Sequence, residues 1–179
     1  WPPPVPPGVS MVDSDEIKKA VGASDLTTLK VSYFTTIEAE GAKVDINDLG
    51  SPSKIMAEAA NRQLMQLFQN KMENDENFAS RFRGFNFQEV VNNIADWIDP
   101  DDESRNGGSE KQLYSQRPRS EFLPPNQPLR TLAELHMVAG MTDELYDLLA
   151  PAITLYGGKG INVNQAGKEV FKAMGTAFT

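Results

Sequence analysis

The sequence predicts an α+β fold in which short β-sheet elements accompany a large, mostly α-helical lobe that contains a helical hairpin. Residues 29–37 are rich in β-branched and aromatic side chains, and a shorter run of the same kind, K-V-D-I, follows the turn at Gly41. Further along, apolar residues recur at helical spacing over two long stretches. A chain of 179 residues is long enough to bury one core, or one core and a second small lobe.

Composition excludes several classes of function. The formal net charge of -8 argues against nucleic-acid binding and against a polybasic membrane contact, because both require a local excess of Lys and Arg. The sequence contains no cysteine, so disulfides, thiolate metal sites and a cysteine nucleophile are unavailable. A zinc site is disfavoured because His136 is the only histidine. No run of about 18 apolar residues is present, so we expect no membrane span.

Changes in residue pattern divide the chain into four segments. They are a Pro-rich arm with a short helix over 1–28, a β-hairpin segment over 29–50, an α-helical lobe over 51–156 with an acidic loop at 99–110, and a strand–helix return segment over 157–179. Within the hairpin segment we predict strands over 29–37 and 43–46. In the return segment, I-N-V-N predicts a strand from Ile161 that precedes a helix.

Two helices of the lobe are well defined by the sequence. The first is predicted over 53–72, with Ser51 as a cap and Pro52 at the first helical position. The second shows the sharpest amphipathic pattern in the chain, carried by Phe87, Val90, Val91, Ile94, Trp97 and Ile98. Between residues 105 and 127 the sequence is polar and contains three prolines, so we expect an irregular connection.

A helical hairpin is predicted next. T-L-A-E, which begins at Thr131, is typical of a capping box and indicates a short helix, and Gly140 ends that helix. Thr142 caps a second helix, which stops before Pro151. The hairpin resembles modules that offer backbone amides to a DNA phosphate. Four acidic residues surround its turn and would repel the phosphates, so we interpret it as a packing module: Glu134, Asp143, Glu144 and Asp147.

The acidic loop is the candidate metal site. Counted from Asp99, carboxylates fall at positions one, three, five and twelve, which is the oxygen spacing of a calcium loop; they are Asp99, Asp101, Glu103 and Glu110, with Asp102 as a weaker candidate. Ser104 stands at the sixth position, where an EF-hand requires Gly, so a true EF-hand is not expected. Clustered hard oxygens favour calcium over softer metals. A solvated acidic loop without an ion remains the alternative.

The same carboxylates suggest a second class of function. Two acids placed across a sugar can catalyse glycoside hydrolysis, and Asp96 or Asp99 with Glu110 would be the pair. A sugar site also requires exposed aromatic side chains, whereas Trp97 belongs to an apolar helical face. A carbohydrate-active hydrolase is therefore the alternative function, and we predict that the protein is not an enzyme.

Several motifs in a fixed order resemble the K-type minor pseudopilins of bacterial type II secretion systems. The resemblance extends from about Tyr33 to Ala166. Its motifs are E-G-A-K-V-D-I-N-D-L, A-D-W-I-D-P-D-D-E, G-G-S-E with Tyr114, P-P-N-Q-P-L, L-A-E-L-H-M-V-A-G-M-T-D-E-L-Y, L-A-P-A-I-T and I-N-V-N-Q-A. In this family a pseudopilin-type β-sheet is interrupted by a large, mostly helical insertion, so the resemblance implies that architecture here.

The resemblance also implies a biological role. Members of the family are non-enzymatic periplasmic proteins anchored in the inner membrane of Gram-negative bacteria, and they assemble with the minor pseudopilins of types I and J at the pseudopilus tip. They act in pseudopilus initiation and protein secretion, and we expect contacts with secreted substrates and with the secretin. Calcium binding is associated with the family, which supports Asp99, Asp101, Glu103 and Glu110 as ligands. The family's N-terminal membrane helix is absent from this sequence, and the family continues beyond I-N-V-N-Q-A into a further helix and back into the sheet.

Overall fold

The computed structural model describes residues 39–116, 123–157 and 161–174. The Pro-rich arm and the strand predicted over 29–37 lie outside these ranges. The described part contains six α-helices: α1 (Lys54–Asn74), α2 (Glu76–Arg81), α3 (Phe87–Ile98), α4 (Glu110–Ser115), α5 (Asp143–Leu149) and α6 (Lys168–Ala173). It also contains 3₁₀ helices over Glu40–Ala42, Ile46–Gly50 and Leu132–Met137. Among these helices, none combines the length and the apolar character that a bilayer crossing requires.

A two-stranded parallel sheet brings the two ends of the helical region together. Strand β1 (Val44–Asp45) pairs with β2 (Ile153–Thr154), with Val44 opposite Ile153. The predicted strand over 43–46 is confirmed for its two central residues. It stops there because the Asp45 carboxylate accepts the backbone N–H of Asn47 at 3.0 Å and so starts a 3₁₀ turn. The sequence did not predict β2.

Helix α1 forms the centre of the core. It begins at Lys54, one residue later than predicted, and ends two residues beyond the predicted 53–72. The predicted start was wrong, because Ser53 rather than Ser51 is the cap residue and Pro52 lies before the helix. The buried face of this helix consists of Ala60, Leu64, Leu67 and Phe68. Helix α6 packs against α1 through the buried side chains of Val170 and Ala173. The hydrophobic effect at this interface holds the last described helix onto the first.

A cluster of phenylalanines fixes where α3 begins. The Phe87 ring stacks on Phe68 of α1 with centroids 4.7 Å apart, and it also contacts Phe78 of α2. The predicted amphipathic helix is confirmed over 87–98, with Val90, Ile94 and Trp97 among its buried residues. The start of helix α3 is therefore packed against α1 and α2, and its C-terminal end leads into the acidic loop.

The predicted helical hairpin is confirmed with one change. Its first helix is a 3₁₀ helix, Leu132–Met137, preceded by Thr131, whose N–H donates to the Glu134 carboxylate at 2.8 Å. Gly140 turns the chain with φ of +81°, a conformation that favours glycine. Thr142 then caps α5 by accepting the Leu145 N–H at 3.3 Å.

Two further predictions were wrong. The connection over 105–127 is not irregular throughout, because α4 forms at Glu110–Ser115 and buries Tyr114. The strand predicted from Ile161 is instead a turn. Asn162 accounts for this, because its side chain accepts the Asn164 N–H at 3.2 Å and its carbonyl accepts the Gln165 N–H at 3.1 Å.

Candidate metal centre

A stripe of polar residues on α3 faces the acidic loop. Asn93 and Asp96 are three residues apart on the buried face of this helix, and the other residues of that face are apolar. Asn106 of the loop donates to the Asn93 side chain at 2.8 Å and to the Glu89 carbonyl at 3.1 Å. Ser104 donates its hydroxyl to Asp96 at 3.0 Å. The loop is therefore fastened along the polar side of α3.

A short hairpin folds the loop back on itself. Glu103 and Ser109 form an antiparallel bridge, and the Ser104 N–H donates to the Gly108 carbonyl at 3.1 Å. The turn between them requires two consecutive positive φ values, +94° at Gly107 and +87° at Gly108, which glycine adopts without steric cost. The hairpin returns the chain so that Glu110, the first residue of α4, lies near the residues that follow α3.

Three carboxylates meet as a result. Asp99, Asp101 and Glu110 each offer an oxygen, and these oxygens lie within 4.8 Å of one another. Glu110 is only 1% exposed and Asp99 only 6%, whereas Asp101 is exposed. Neither oxygen of Glu110 has a hydrogen-bond partner, and the same is true of Asp99 Oδ1. Buried carboxylate oxygens ordinarily require partners, so this arrangement fits a hard cation bound between them.

The electrostatics of the cluster agree with its geometry. Burial, together with the negative charges of Asp96, Asp99, Asp101 and Asp102, raises the pKa of Glu110 from 4.5 to about 7. Burial also raises the pKa of Asp96, although hydrogen bonds from Ser104 and from the Arg105 backbone lower it. A cation at this position would oppose the repulsion that raises the Glu110 pKa.

Arg105 contacts two of the buried acids, Asp96 and Asp99. Its guanidinium donates to Asp99 Oδ2 from Nη2 at 2.8 Å and from Nε at 3.3 Å. Its Nε also lies 3.4 Å from Asp96 Oδ1. The backbone N–H of Arg105 donates to both Asp96 oxygens, at 3.2 and 3.1 Å.

Asn126, which follows Pro124 and Pro125, contacts the acidic loop. It adopts φ of +50°, and its side-chain Nδ2 donates to the Asp101 carbonyl and, at 3.5 Å, to the Asp102 carboxylate. Its Oδ1 is buried and has no hydrogen-bond partner. Asn126 thus connects the described segment that begins at residue 123 to the acidic loop.

Of the four predicted ligands, the structure brings together Asp99, Asp101 and Glu110. Glu103 is exposed and lies outside this group. Asp102, the weaker candidate, pairs with Lys111 at 2.6 Å.

Four residues of the site were not predicted from the sequence: Asn93, Arg105, Asn106 and Asn126. A signal for the α3 contacts was present, because Glu89, Asn93 and Asp96 follow helical spacing within an apolar pattern. A polar stripe of this kind on a buried helix indicates a polar partner. No comparable pattern indicated Arg105 or Asn126.

The fold and the site define an α+β protein whose helical region carries an acidic loop suited to a hard cation. The sequence model of the family described as type II secretion system (T2SS), protein K, matches residues 42–158. The chain therefore belongs to the type II secretion system protein K family.

Curated relatives agree with this assignment. Type II secretion system protein K of Klebsiella pneumoniae is 35% identical over 72 residues, which are 40% of this chain and 22% of that protein. Putative type II secretion system protein K of Escherichia coli strain K12 is 35% identical over 80 residues, 44% of this chain and 24% of that protein. The matches thus span about a quarter of the length of these relatives.

A solved structure has the same fold. The crystal structure of the GspK-GspI-GspJ complex from enterotoxigenic Escherichia coli contains a chain that superposes with a TM-score of 0.58 at 22% sequence identity. The match covers 76% of this chain and 47% of that chain.

Proposed function

We propose that this chain is the periplasmic part of an inner-membrane-anchored minor pseudopilin and that it assembles with minor pseudopilins of types I and J. Membership of the protein K family supports this proposal. The fold match to a structure of a GspK-GspI-GspJ complex supports the same partners. In this function the protein helps to initiate the pseudopilus at its tip, contacts secreted substrates and the secretin, and catalyses no reaction.

Co-purification tests the assembly. The chain is expressed with type I and type J minor pseudopilins of the same bacterium, and a major pseudopilin serves as the negative control. The expected result is a complex of all three minor pseudopilins that survives size-exclusion chromatography. Failure to associate with either type I or type J would leave the family assignment intact and would remove the proposed function.

The second part of the proposal is that the acidic loop binds calcium. The observation that carries it is the convergence of Asp99, Asp101 and Glu110, with three buried oxygens that have no other partner. Oxygen-only ligands at this spacing suit Ca²⁺ better than zinc or copper. When bound, the ion would supply the positive charge that offsets the repulsion within the cluster.

Calorimetric titration with calcium tests the site. Asp101→Asn keeps the size of the side chain and its hydrogen bond from the Glu103 N–H but removes one ligand charge. We expect it to weaken calcium binding by at least about tenfold, because affinity follows ligand charge. Glu103→Gln is the matched control in the same loop, and we expect a change of less than about threefold. Absence of saturable binding to the wild type would overturn the calcium proposal.

The hydrolase alternative receives less support from the geometry. Asp99 and Glu110 are buried, whereas a pair of catalytic acids must face a substrate cleft. A cavity of about 510 Å³ lies elsewhere, between α1, α2, α5 and α6, and none of the acidic-loop carboxylates lines it. Turnover of a sugar substrate that is lost in Glu110→Gln would reinstate this alternative.

A further inference from the structure

Arg105 contacts two acidic side chains at the candidate site, Asp96 and Asp99, and leaves them with different numbers of free oxygens. Both oxygens of Asp96 accept hydrogen bonds from Ser104 or Arg105, so this carboxylate is saturated. Asp99 is half saturated, because Arg105 contacts its Oδ2 while its Oδ1 has no partner. The contact from Arg105 thus leaves one Asp99 oxygen available to the cluster formed with Asp101 and Glu110.

Arg105 also sets the charge of the site. Asp96 is a buried side chain next to the cluster, Asp99 is a buried member of it, and the guanidinium that contacts both of them is 44% exposed. The attraction of a site for a cation scales with the product of the two charges, so each added negative charge favours a trivalent ion more than a divalent one. The number of carboxylates that are not paired with a basic group therefore decides whether the site prefers a divalent or a trivalent cation.

We propose that Arg105 is a specificity-determining residue of this site: it holds Asp96 and one oxygen of Asp99 out of the ligand set and limits the negative charge that the cation meets. This inference rests on the proposed calcium site. The site is thereby matched to a divalent cation, and its preference for trivalent cations is kept low. Arginine suits this role because its planar fork contacts two carboxylates at once and stays charged at all relevant pH values.

The test measures the ratio of terbium affinity to calcium affinity. Tb³⁺ is titrated by luminescence and Ca²⁺ by competition, at about 0.15 M salt so that remote charges are screened. Arg105→Gln is expected to raise the ratio by about threefold to tenfold, because it exposes one more negative charge to the ion. Asp96→Asn keeps the acceptor for Ser104 but removes a charge, and it is expected to lower the ratio.

Two further variants separate charge from structure. Arg105→Lys retains the charge but loses the fork, and it is expected to keep the ratio within about twofold of the wild type while weakening both affinities. Arg83→Gln makes the same change in net charge near the opposite end of α3, a helix of 12 residues and therefore about 18 Å long, and it is expected to leave the ratio unchanged.

The outcomes distinguish the two proposals. Wild-type protein that binds neither ion would overturn the calcium site and this inference with it. Wild-type binding with an unchanged or lowered ratio in Arg105→Gln would overturn the role of Arg105 alone. If Arg105→Gln fails to fold, the comparison of Asp96→Asn with the wild type decides, and a ratio that does not fall overturns the inference.

Discussion

Glu110 is a buried carboxyl group surrounded by other carboxylates, so both burial and charge repulsion oppose its ionisation. Its two oxygens lack hydrogen-bond partners, and it begins helix α4, whose other buried residue is Tyr114. Burial and the neighbouring carboxylates raise its pKa from 4.5 to about 7, so in the ion-free protein its proton is lost near neutral pH. Ionisation then places a buried charge on oxygens to which no described residue donates a hydrogen bond.

This shift predicts a pH dependence of stability in the ion-free protein. The folded state holds the Glu110 proton more tightly than the unfolded state, so stability is fully present below pH 4.5 and is lost as the pH rises to about 7. The contribution is on the order of 1 to 3 kcal/mol. Urea unfolding in the presence of a chelator at several pH values between 4.5 and 7.5 would measure it.

Controls for the pH prediction use the same loop. Glu110→Gln should remove most of this dependence, whereas Glu103→Gln, which alters an exposed side chain, should preserve it. Saturating calcium should reverse the slope, because the ion binds the ionised form. A wild-type profile as flat as that of Glu110→Gln would show that Glu110 ionises normally.

At the scale of elements, a buried asparagine joins α3 to the hairpin turn. Asn93 donates to the Ala139 carbonyl at 2.9 Å and accepts from Asn106 at 2.8 Å. Its neighbour Asn92 is half-buried, and its side chain forms hydrogen bonds with the side chains of Gln88 and Asn106. The two adjacent residues therefore offer a matched comparison of a buried and a more exposed amide.

We expect Asn93→Ala to lower the free energy of unfolding by about 2 to 3 kcal/mol, because it leaves the buried Ala139 carbonyl without a donor and creates a small cavity. Asn92→Ala should cost less than about 1 kcal/mol. Urea titrations with comparable m-values would make the two free energies directly comparable. Equal costs for the two variants would mean that the contact with Ala139 contributes little.

Sequence patterns predicted the helices that are long enough for their apolar residues to recur at helical spacing. Helix α3 is an example, because its apolar residues repeat over three turns. All the apolar residues that predicted this helix are buried or packed against the core. Helix α4 has only six residues, and Tyr114 is its buried apolar residue, so no period was visible. Strand β2 has two residues, and its pairing with β1 depends on the path of the whole connection.

The candidate site was predictable for a related reason. Carboxylates in one loop can be recognised by their spacing, and three of the four predicted ligands converge. The exclusion of Glu103 depends on the bridge between Glu103 and Ser109, which directs the loop, and the position of Arg105 depends on two carboxylates at the end of α3. Such details follow from the turn geometry, which spacing alone does not determine.

At the scale of the whole described region, residues far apart in sequence contact each other and bring together the two ends of the helical region between β1 and β2. The parallel pairing of β1 with β2 places the start and the end of this connection side by side. Asn47, just after β1, donates to the Leu129 carbonyl at 3.2 Å and accepts the Leu129 N–H at 2.8 Å. The segment that carries Asn126 is thus fixed at both the core and the acidic loop.

Ala139 connects the candidate site to the hairpin from two directions. Its N–H donates to the Tyr114 hydroxyl at 3.0 Å, and its carbonyl accepts from Asn93 at 2.9 Å. Tyr114 lies on α4, which follows the acidic loop, and Asn93 lies on α3, which precedes it. Any opening of the loop that displaces α4 must therefore release the Ala139 amide.

We expect calcium to slow hydrogen exchange of the Ala139 amide by at least about tenfold at saturating concentration, because ligand binding suppresses openings of the site that binds it. The Ala79 amide in α2, which donates to the Asp75 carbonyl at 2.9 Å, serves as an internal reference and should change by less than about threefold. Tyr114→Phe removes the acceptor, so the Ala139 amide should exchange rapidly with or without calcium while calcium binding persists. An equal response of Ala79 and Ala139 would show that calcium stabilises only against global unfolding, and that the acidic loop and the hairpin turn open independently.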